Sequence, residues 1–572
     1  MSQDETRARG GVSRRNLLKG SAAAGIAAAL AASPAVAAAG SQPVRRPEIV
    51  PGAPPPKLGD GDLVLTNGRI HTMDGGGTIA TEVSIRNGRF DVIGRVPPGR
   101  TKAARVIDLQ GRTVVPGIID NHNHIVLMGN RPGHHTPLEN ARSIGDVQET
   151  FADRASGLPA GSWITTIGGF HRNQLAPEFR LPTLAELDDA VPDHPAYISE
   201  SFAGPSTTNS LGKAFFEAAD PPVTVGADGS IAAGFGDSPT GRATLALRRA
   251  LLTFEERKRG AVDAMAYGAS LGVTTHLDQG AFQKTDSPAD GAAHEDNFTM
   301  HLPFLALYDE GKLGTRLRIN FLHMESDPAL PELRARLRNA FQFFGDDMVR
   351  TGGIGEFIAQ GTGANFAEAA KAVAEARWRA EVHSLSATDF QAEIQAFEAA
   401  DALFPIGDLR WVIAHVPFIT PEYVDRLKAL GGGLSLTSWR YLAGSAVQNG
   451  PPFRMIVDNG IPVGMSSDGM QIAPMNPWLH MYYATTGVNA RGVLINDGQQ
   501  ISRAEVLRLY TRDNGWFMRE EDSLGTIEPG KHADLVVLNS DYFTVPDEGL
   551  KSIRSVLTVV GGEVVHDEGV LE

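Results

Sequence analysis

The residues best suited to chemistry begin at Pro116-Gly117-Ile118-Ile119-Asp120-Asn121-His122-Asn123-His124, an apolar run ending in two histidines one residue apart. Side chains on a strand alternate between faces, so this spacing turns both imidazoles to the same side. Two imidazoles on one face at a strand end make half of a tetrahedral or five-coordinate site, and imidazole is a good ligand for zinc and its neighbours. Alone the pair is a weak signal, because His-x-His also arises at solvated strand ends. Its weight comes from His383, His415 and Asp468, each of which closes a separate predicted strand. The chain has no cysteine, which excludes thiolate zinc sites, iron–sulfur clusters, disulfides and a cysteine nucleophile. Any metal must be held by His, Asp or Glu.

A regular frame has to carry those residues, and its clearest part lies between 365 and 468. Asn365 with Glu368 predicts a capping box for an Ala-rich helix running to about Arg379, and Glu381-Val382-His383 reads as the next strand. A helix over about 388–400 leads to the strand from Leu409 to His415. Thr420-Pro421 caps a helix to about Leu430, and Leu434-Ser435-Leu436 is the following strand. A helix near Phe453 to Asp458 precedes Ile461 to Met465 and then Ser466-Ser467-Asp468. Strands alternating with helices imply right-handed parallel crossovers, hence a barrel or an open doubly wound sheet. In barrels the C-terminal ends of the strands hold the chemistry. Between about 140 and 350 the pattern is less regular, and 280–310 reads as a loop or lid.

Both ends of the chain are β-rich. From Asp62 to Val115 short runs alternate with turn residues, and Asn67-Gly68 and Asn87-Gly88 predict two hairpins. Asp534 to Leu538, Ser555 to Val560 and Glu563 to Val565 repeat the style near the C-terminus. Each piece is too small to bury a core alone, so one sandwich built from both ends is expected, with the rest inserted between them.

The 572 residues are 42% hydrophobic and 21% charged, which excludes disorder and a fibrous repeat. A net charge of −15 with no dense Lys/Arg run argues against nucleic acid and for a small-molecule substrate. Ser13-Arg14-Arg15-Asn16-Leu17-Leu18-Lys19, followed by the Ala-rich stretch Ser21 to Ala32, is a targeting peptide that resembles a bacterial twin-arginine signal. It is too short and Ala-rich for a comfortable membrane span. It implies the twin-arginine export machinery as a partner, a periplasmic or secreted destination, and folding around a cofactor before export. Pro43 to Pro56 reads as an extended linker.

Beyond these readings, the mature chain resembles the family 3 branch of the amidohydrolase superfamily. The resemblance rests on Val115 to His124, His383, His415, Ser466-Ser467-Asp468 and Gly525-Thr526-Ile527-Glu528-Pro529-Gly530-Lys531-His532-Ala533-Asp534-Leu535-Val536-Val537-Leu538. It implies an α/β fold, a distorted (β/α)8 TIM-type barrel with a metal centre at its mouth, plus a small β-sandwich domain. The expected division is a signal peptide at 1–40, a linker at 41–58, sandwich at 59–115 and 521–572, and the barrel with insertions at 116–520. The resemblance places His122 and His124 at the end of strand 1, His383 and His415 at the ends of strands 5 and 6, and Asp468 at strand 8. A divalent metal, zinc by preference, would lower the pKa of a water towards about 7 and polarise a carbonyl. Asp468 would take the proton and hand it to the leaving amine, and His415 would ligate or hydrogen-bond to the nucleophile. The expected activity is hydrolysis of a non-peptide carbon–nitrogen bond in a small molecule. A decarboxylase, hydratase or isomerase on the same scaffold is the alternative, and a non-catalytic binding protein is a weaker one. A homo-oligomer is left open.

Three departures from the family pattern bear on detail. Members commonly carry a carboxylatable lysine on strand 4 in a Val-Lys context, where this chain reads Val349-Arg350-Thr351-Gly352-Gly353-Ile354-Gly355-Glu356. A guanidinium stays protonated and cannot be carboxylated, so one ion is favoured over two unless Glu356 supplies the carboxylate; a surface position is the plainer reading of Glu356. Phe202-Ala203-Gly204 replaces a motif with a substrate-contacting histidine, and His383-Ser384-Leu385-Ser386 departs from the usual His-Ala-x-Gly. His134-His135 reads as a pocket-lining or solvated pair, His276 as a buried, hydrogen-bonded histidine, and Trp439, Tyr441 and Trp478 as core or substrate-holding aromatics.

Overall fold

A computed structural model describes residues 62–100, 104–201, 203–280, 299–470 and 472–571. The leader, the linker, Phe202 and most of the expected lid, 281–298, lie outside the described residues. The rest of that lid is not a loop, since Leu302–Asp309 is a helix.

The apolar runs singled out above become short parallel strands. We number them β1 Ile118–Asn123, β2 Val273–Asp278, β3 Arg316–Phe321, β4 Val349–Ile354, β5 Glu381–Ser384, β6 Val412–His415, β7 Gly433–Thr437 and β8 Val463–Ser466. β1 to β4 form one parallel sheet and β5 to β8 another, each in chain order. Ile354 of β4 bridges in parallel to Ala380, just ahead of β5. At the other edge, Asp468 N donates to His122 O at 2.9 Å, tying the end of β8 to β1. Parallel neighbours need a crossover, and helices such as Ala364–Glu375, Ala387–Asp401 and Pro421–Ala429 supply it. Their apolar faces, for example Phe390, Ile394 and Phe397, share one hydrophobic core with Ile413, Leu434 and Leu436.

Helix starts and stops correct the sequence reading in places. Asn365 does not cap a helix; Gly363 is the N-cap, and Asn365 Nδ2 donates to Ser326 O at 2.7 Å. That helix ends at Glu375 because Arg377 takes a left-handed φ of 62°, and Arg379 already belongs to the approach to β5. The following helix starts at a Ser386/Asp389 capping box.

Strands from both ends of the chain share one six-stranded sheet. Leu535–Leu538 pairs antiparallel with Thr113–Pro116 on one side and Ser555–Val560 on the other. A second, four-stranded sheet contains Leu63–Thr66, Val83–Arg86, Arg89–Ile93 and Arg105–Asp108, and Leu63, Leu65 and Ile85 share a core with Leu535, Val537 and Leu557. Asn87-Gly88 makes the predicted hairpin, with both residues at positive φ. Asn67-Gly68 does not: Asn67 has φ 54°, but the strands on either side of it enter different sheets, so the turn redirects the chain instead of folding it back. Between β1 and β2 an inserted five-stranded sheet carries His134–His135, Ile164–Ile167, Ala196–Ser199, Ser206–Thr208 and Ser230–Ile231.

Candidate metal centre

All six residues proposed as ligands meet at the C-terminal ends of the strands. His122 lies on β1 and His124 just past it, His383 and His415 lie on β5 and β6, and Asp468 follows β8. The sixth, Glu356, just past β4, is where the surface reading fails. It is 1% exposed and stands among four imidazoles. Its Oε2 lies 3.3 Å from His122 Nε2, 2.9 Å from His383 Nδ1 and 3.3 Å from His415 Nε2; its Oε1 lies 3.4 Å from His124 Nε2. Asp468 Oδ1 sits 3.3 Å from His124 Nε2 and 3.9 Å from His122 Nε2. Arg350 takes no part: it lies near the start of β4, 3.2 Å from Glu520.

Three of the four imidazoles are oriented from behind, while His383 turns its Nδ1 to Glu356. His122 Nδ1 lies 2.7 Å from Glu381 Oε1, His124 Nδ1 lies 2.9 Å from Gly280 O, and His415 Nδ1 lies 2.9 Å from Thr437 Oγ1. Donation from Nδ1 leaves the Nε2 lone pair directed at the shared centre. His415 and Asp468 both have left-handed backbones, with φ of 72° and 57°. Such residues persist only where their surroundings over-determine them; here Ser467, beside Asp468, is fixed to Asp120 through both its amide N–H and its hydroxyl.

The charges fit a cation. Burial alone would lower the pKa values of His122 and His124, but neighbouring carboxylates outweigh it, holding His122 well above its ordinary value and raising His124 to about 10. Burial would push Glu356 and Asp468 upward, yet the surrounding histidines hold both below the usual carboxylate range. Burial and the neighbouring His383 bring His415 down to about 4. His122 Nε2 and Glu356 Oε1 make no hydrogen bond, an unusual state for buried polar atoms. Among the described residues, the trios His122/His124/Asp468 and His122/Glu356/His415 each bring three donor atoms within 4.8 Å of one another.

Residues 105–566 match the amidohydrolase family. The chain belongs to that family. Residues 11–31 of this amidohydrolase match the twin-arginine translocation signal, so it carries a signal for export to the periplasm or beyond. Among the described residues, no helix is long and apolar enough to cross a membrane. The amidohydrolase is 24% identical to the N-substituted formamide deformylase of Arthrobacter pascens, over 88% of this chain and 98% of that one. It is 22% identical to Protein LONG AFTER FAR-RED 3 of Arabidopsis thaliana, over 88% and 91%. Its α/β fold is similar to that of a metal-dependent hydrolase from Pyrococcus furiosus, with a TM-score of 0.56 at 19% identity over 84% of this chain and 100% of that one. It also resembles the atrazine chlorohydrolase of Arthrobacter aurescens TC1 complexed with zinc, with a TM-score of 0.52 at 16% identity over 88% and 95%.

The sequence reading missed the residues that brace this amidohydrolase's centre. Glu381 is fully buried, accepts from Gln279 Nε2 at 3.0 Å and from Arg379 Nη2 at 2.8 Å, and has its pKa held low, against burial, by Arg379 and His122. Its signal was available: Glu381 and His383 alternate along one strand and so share a face, and a carboxylate in an apolar strand needs a partner. The softer candidates fall outside the centre. His276 is buried, with Nδ1 2.9 Å from Asn123 Nδ2, and burial takes its pKa to about 3. His135 is buried and His134 half-buried, and the two form the edge strand of the inserted sheet. Tyr441 and Trp478 belong to the hydrophobic core, while half-buried Trp439 stacks against Arg440.

Proposed function

We propose that this protein is a metal-dependent hydrolase of a non-peptide carbon–nitrogen bond in a small molecule. The observation that carries the reading is the Glu356 carboxylate set among His122, His124, His383 and His415, with Asp468 beside it. His122, His124 and Asp468 would hold a divalent ion, zinc by the nature of the donors and with a zinc-bound fold neighbour in support. When bound, such an ion supplies Lewis acidity, polarising a carbonyl and acidifying water. Asp468, ionised beside the histidines, accepts a proton at Oδ and returns it to the leaving nitrogen. His415, fixed by Thr437, orients the attacking water or joins the ligands.

A reading with two ions is favoured by one feature. Both oxygens of Glu356 reach imidazoles, Oε2 lying near His122, His383 and His415 and Oε1 near His124, so its carboxylate could be shared between two ions. Metal content per chain, measured in the wild type and in Glu356→Ala, separates the two counts. One ion in both proteins supports the single site, and a drop from two to one or none supports the bridge.

We place the centre at the mouth of a distorted (β/α)8 barrel formed by β1 to β8, supported by the links at Ile354–Ala380 and Asp468–His122. The flanking sandwich would take 59–115 and 521–572, supported by the pairing of Leu535–Leu538 with Thr113–Pro116. The substrate class draws on the deformylase relative. Amine release from a panel of N-substituted formamides and other amides tests it. Turnover of candidate acids or hydroxy compounds with no amine released from any amide would assign the scaffold to a decarboxylase, hydratase or isomerase reaction instead.

A further inference from the structure

The N-terminal ends of the same strands hold a second group of charges that the metal centre does not use. A cavity of about 240 Å3, counting its open mouth, is lined there by Arg318 of β3, Arg350 of β4 and Arg379 ahead of β5, with Phe343, Phe517 and Met518 around them. Arg379 is 1% exposed. Its Nη2 donates to Glu381, while its Nε and Nη1 find no acceptor in the protein. Buried donors are almost always paired, so an unpaired guanidinium facing a cavity marks a missing acceptor.

The charge around the cavity is unbalanced. Arg318 holds Glu520 through two hydrogen bonds of 2.7 and 2.9 Å, and Arg350 reaches the same carboxylate at 3.2 Å. Glu381, the one acid on Arg379, is already shared with His122 and Gln279. A fourth guanidinium, Arg519, stands 5.1 Å over the Phe343 ring and has an unpaired Nε of its own. Burial and the positive charges of Arg410 and Arg379 hold its pKa below the ordinary value. The nearby acids Asp408 and Glu521 are engaged by Arg377 and Arg410.

We propose that this cavity binds a small inorganic anion of about the size of chloride, against Arg379 with Arg318 and Arg350 contributing. The interior has room for a body the size of one water molecule, which suits a halide and not a phosphate or a dicarboxylate. Arg379 also holds Glu381, which holds His122, so an occupant that neutralises Arg379 leaves Glu381 a stronger acceptor for His122 Nδ1. That link to the metal centre rests on the proposed function; the anion site itself does not.

Thermal unfolding of the full chain, as purified, is measured in sodium chloride and sodium bromide against sodium gluconate at equal ionic strength, gluconate being too large to enter. The expected result is a Tm that rises saturably in halide over gluconate, and a loss of that rise in Arg350→Gln, which removes a cation at the mouth. Arg379→Lys keeps a cation for Glu381 but removes the two unpaired donors, and is expected to lose the rise as well. Bromide at millimolar concentration in crystals should give an anomalous peak within hydrogen-bond distance of Arg379 Nε or Nη1. Equal Tm in halide and gluconate, a rise unchanged in both variants, or no bromide peak in the cavity would overturn the proposal. Metal content, read on the same samples, reports separately on the metal centre.

Discussion

The two ends of β5 are opposite in what they lack. Above, around His383, lone pairs are unsatisfied: His122 Nε2 and Glu356 Oε1 have no hydrogen-bond partner. Below, at Arg379, N–H groups are unsatisfied. The sign of the unmet need distinguishes a cation site from an anion site, and Glu381 stands between them, accepting from Arg379 on one side and bonded to His122 on the other. Arg316 and Asp534 show what a purely structural buried pair looks like. Arg316 donates twice to Asp534, at 2.7 and 2.9 Å, and once to Asp347 O, while Gly561 N–H also reaches Asp534. Nε, Nη1 and Nη2 of Arg316 and both Asp534 oxygens are thus paired inside the protein. Burial of charge does not by itself mark a site; burial with a partner missing does.

The upper end breaks most visibly at Asp468. Asp468→Asn keeps the shape and removes the proton acceptor, and turnover should fall about 10²-fold or more, since general-base catalysis is worth roughly 10²–10⁴. Metal content, by elemental analysis, should fall less. Near-normal turnover would remove Asp468 from the proposed chemistry. The link between the ends is tested by Glu381→Gln, which weakens the brace on His122. Loss of such a partner typically costs about 10–100-fold in metal affinity, so competition with a chelator should show a loss of that order. An unchanged affinity would mean that Glu381 is held for Arg379 alone. At the lower end, Arg350→Gln should leave turnover within about two-fold, because Arg350 pairs with Glu520 near the start of β4 and supplies no ligand to the metal centre. A large loss of turnover would show that the two ends are not separate.

Much of the upper end was legible in the sequence because strand chemistry is local. His-x-His declared its face by period, and His383, His415 and Asp468 each closed an apolar run whose direction the flanking helices fixed. Glu356 was misplaced because it lies just past β4, after the glycine-rich Gly352-Gly353-Ile354-Gly355, where no apolar alternation shows which way a side chain points. The Val349-Arg350 pair earlier in the strand matched the lysine context better by residue type. The lower cavity was not legible at all. Arg318, Arg350, Arg379 and Arg519 are far apart in sequence and converge only when β3, β4, β5 and the helix Gly515–Met518 pack. The hairpin assigned to Asn67-Gly68 failed for a related reason: local turn chemistry sets a backbone angle, while tertiary pairing decides which strands meet.

Glu393 sharpens the comparison, because it is a buried orphan at neither end. It lies on the helix Ala387–Asp401, fully buried, and neither carboxyl oxygen makes a hydrogen bond. Its charged neighbour is the like-charged Asp389, where Glu356 has histidines, so the economical way to meet its need is a proton. Burial pushes its pKa from the ordinary 4.5 up to about 8, and the negative charge of Asp389 adds to the rise. Between those two values the folded protein keeps a proton that the unfolded chain has released. Stability therefore falls as pH rises through that window and levels off above about 8. Glu393→Gln has no proton to lose, so it should gain on the wild type by about 1.4 kcal/mol for each pH unit from roughly 5 to 7. Urea unfolding of both proteins across that range measures the difference. Parallel stability profiles would mean that Glu393 ionises in place, and that a buried carboxylate without a partner can here be tolerated as a charge.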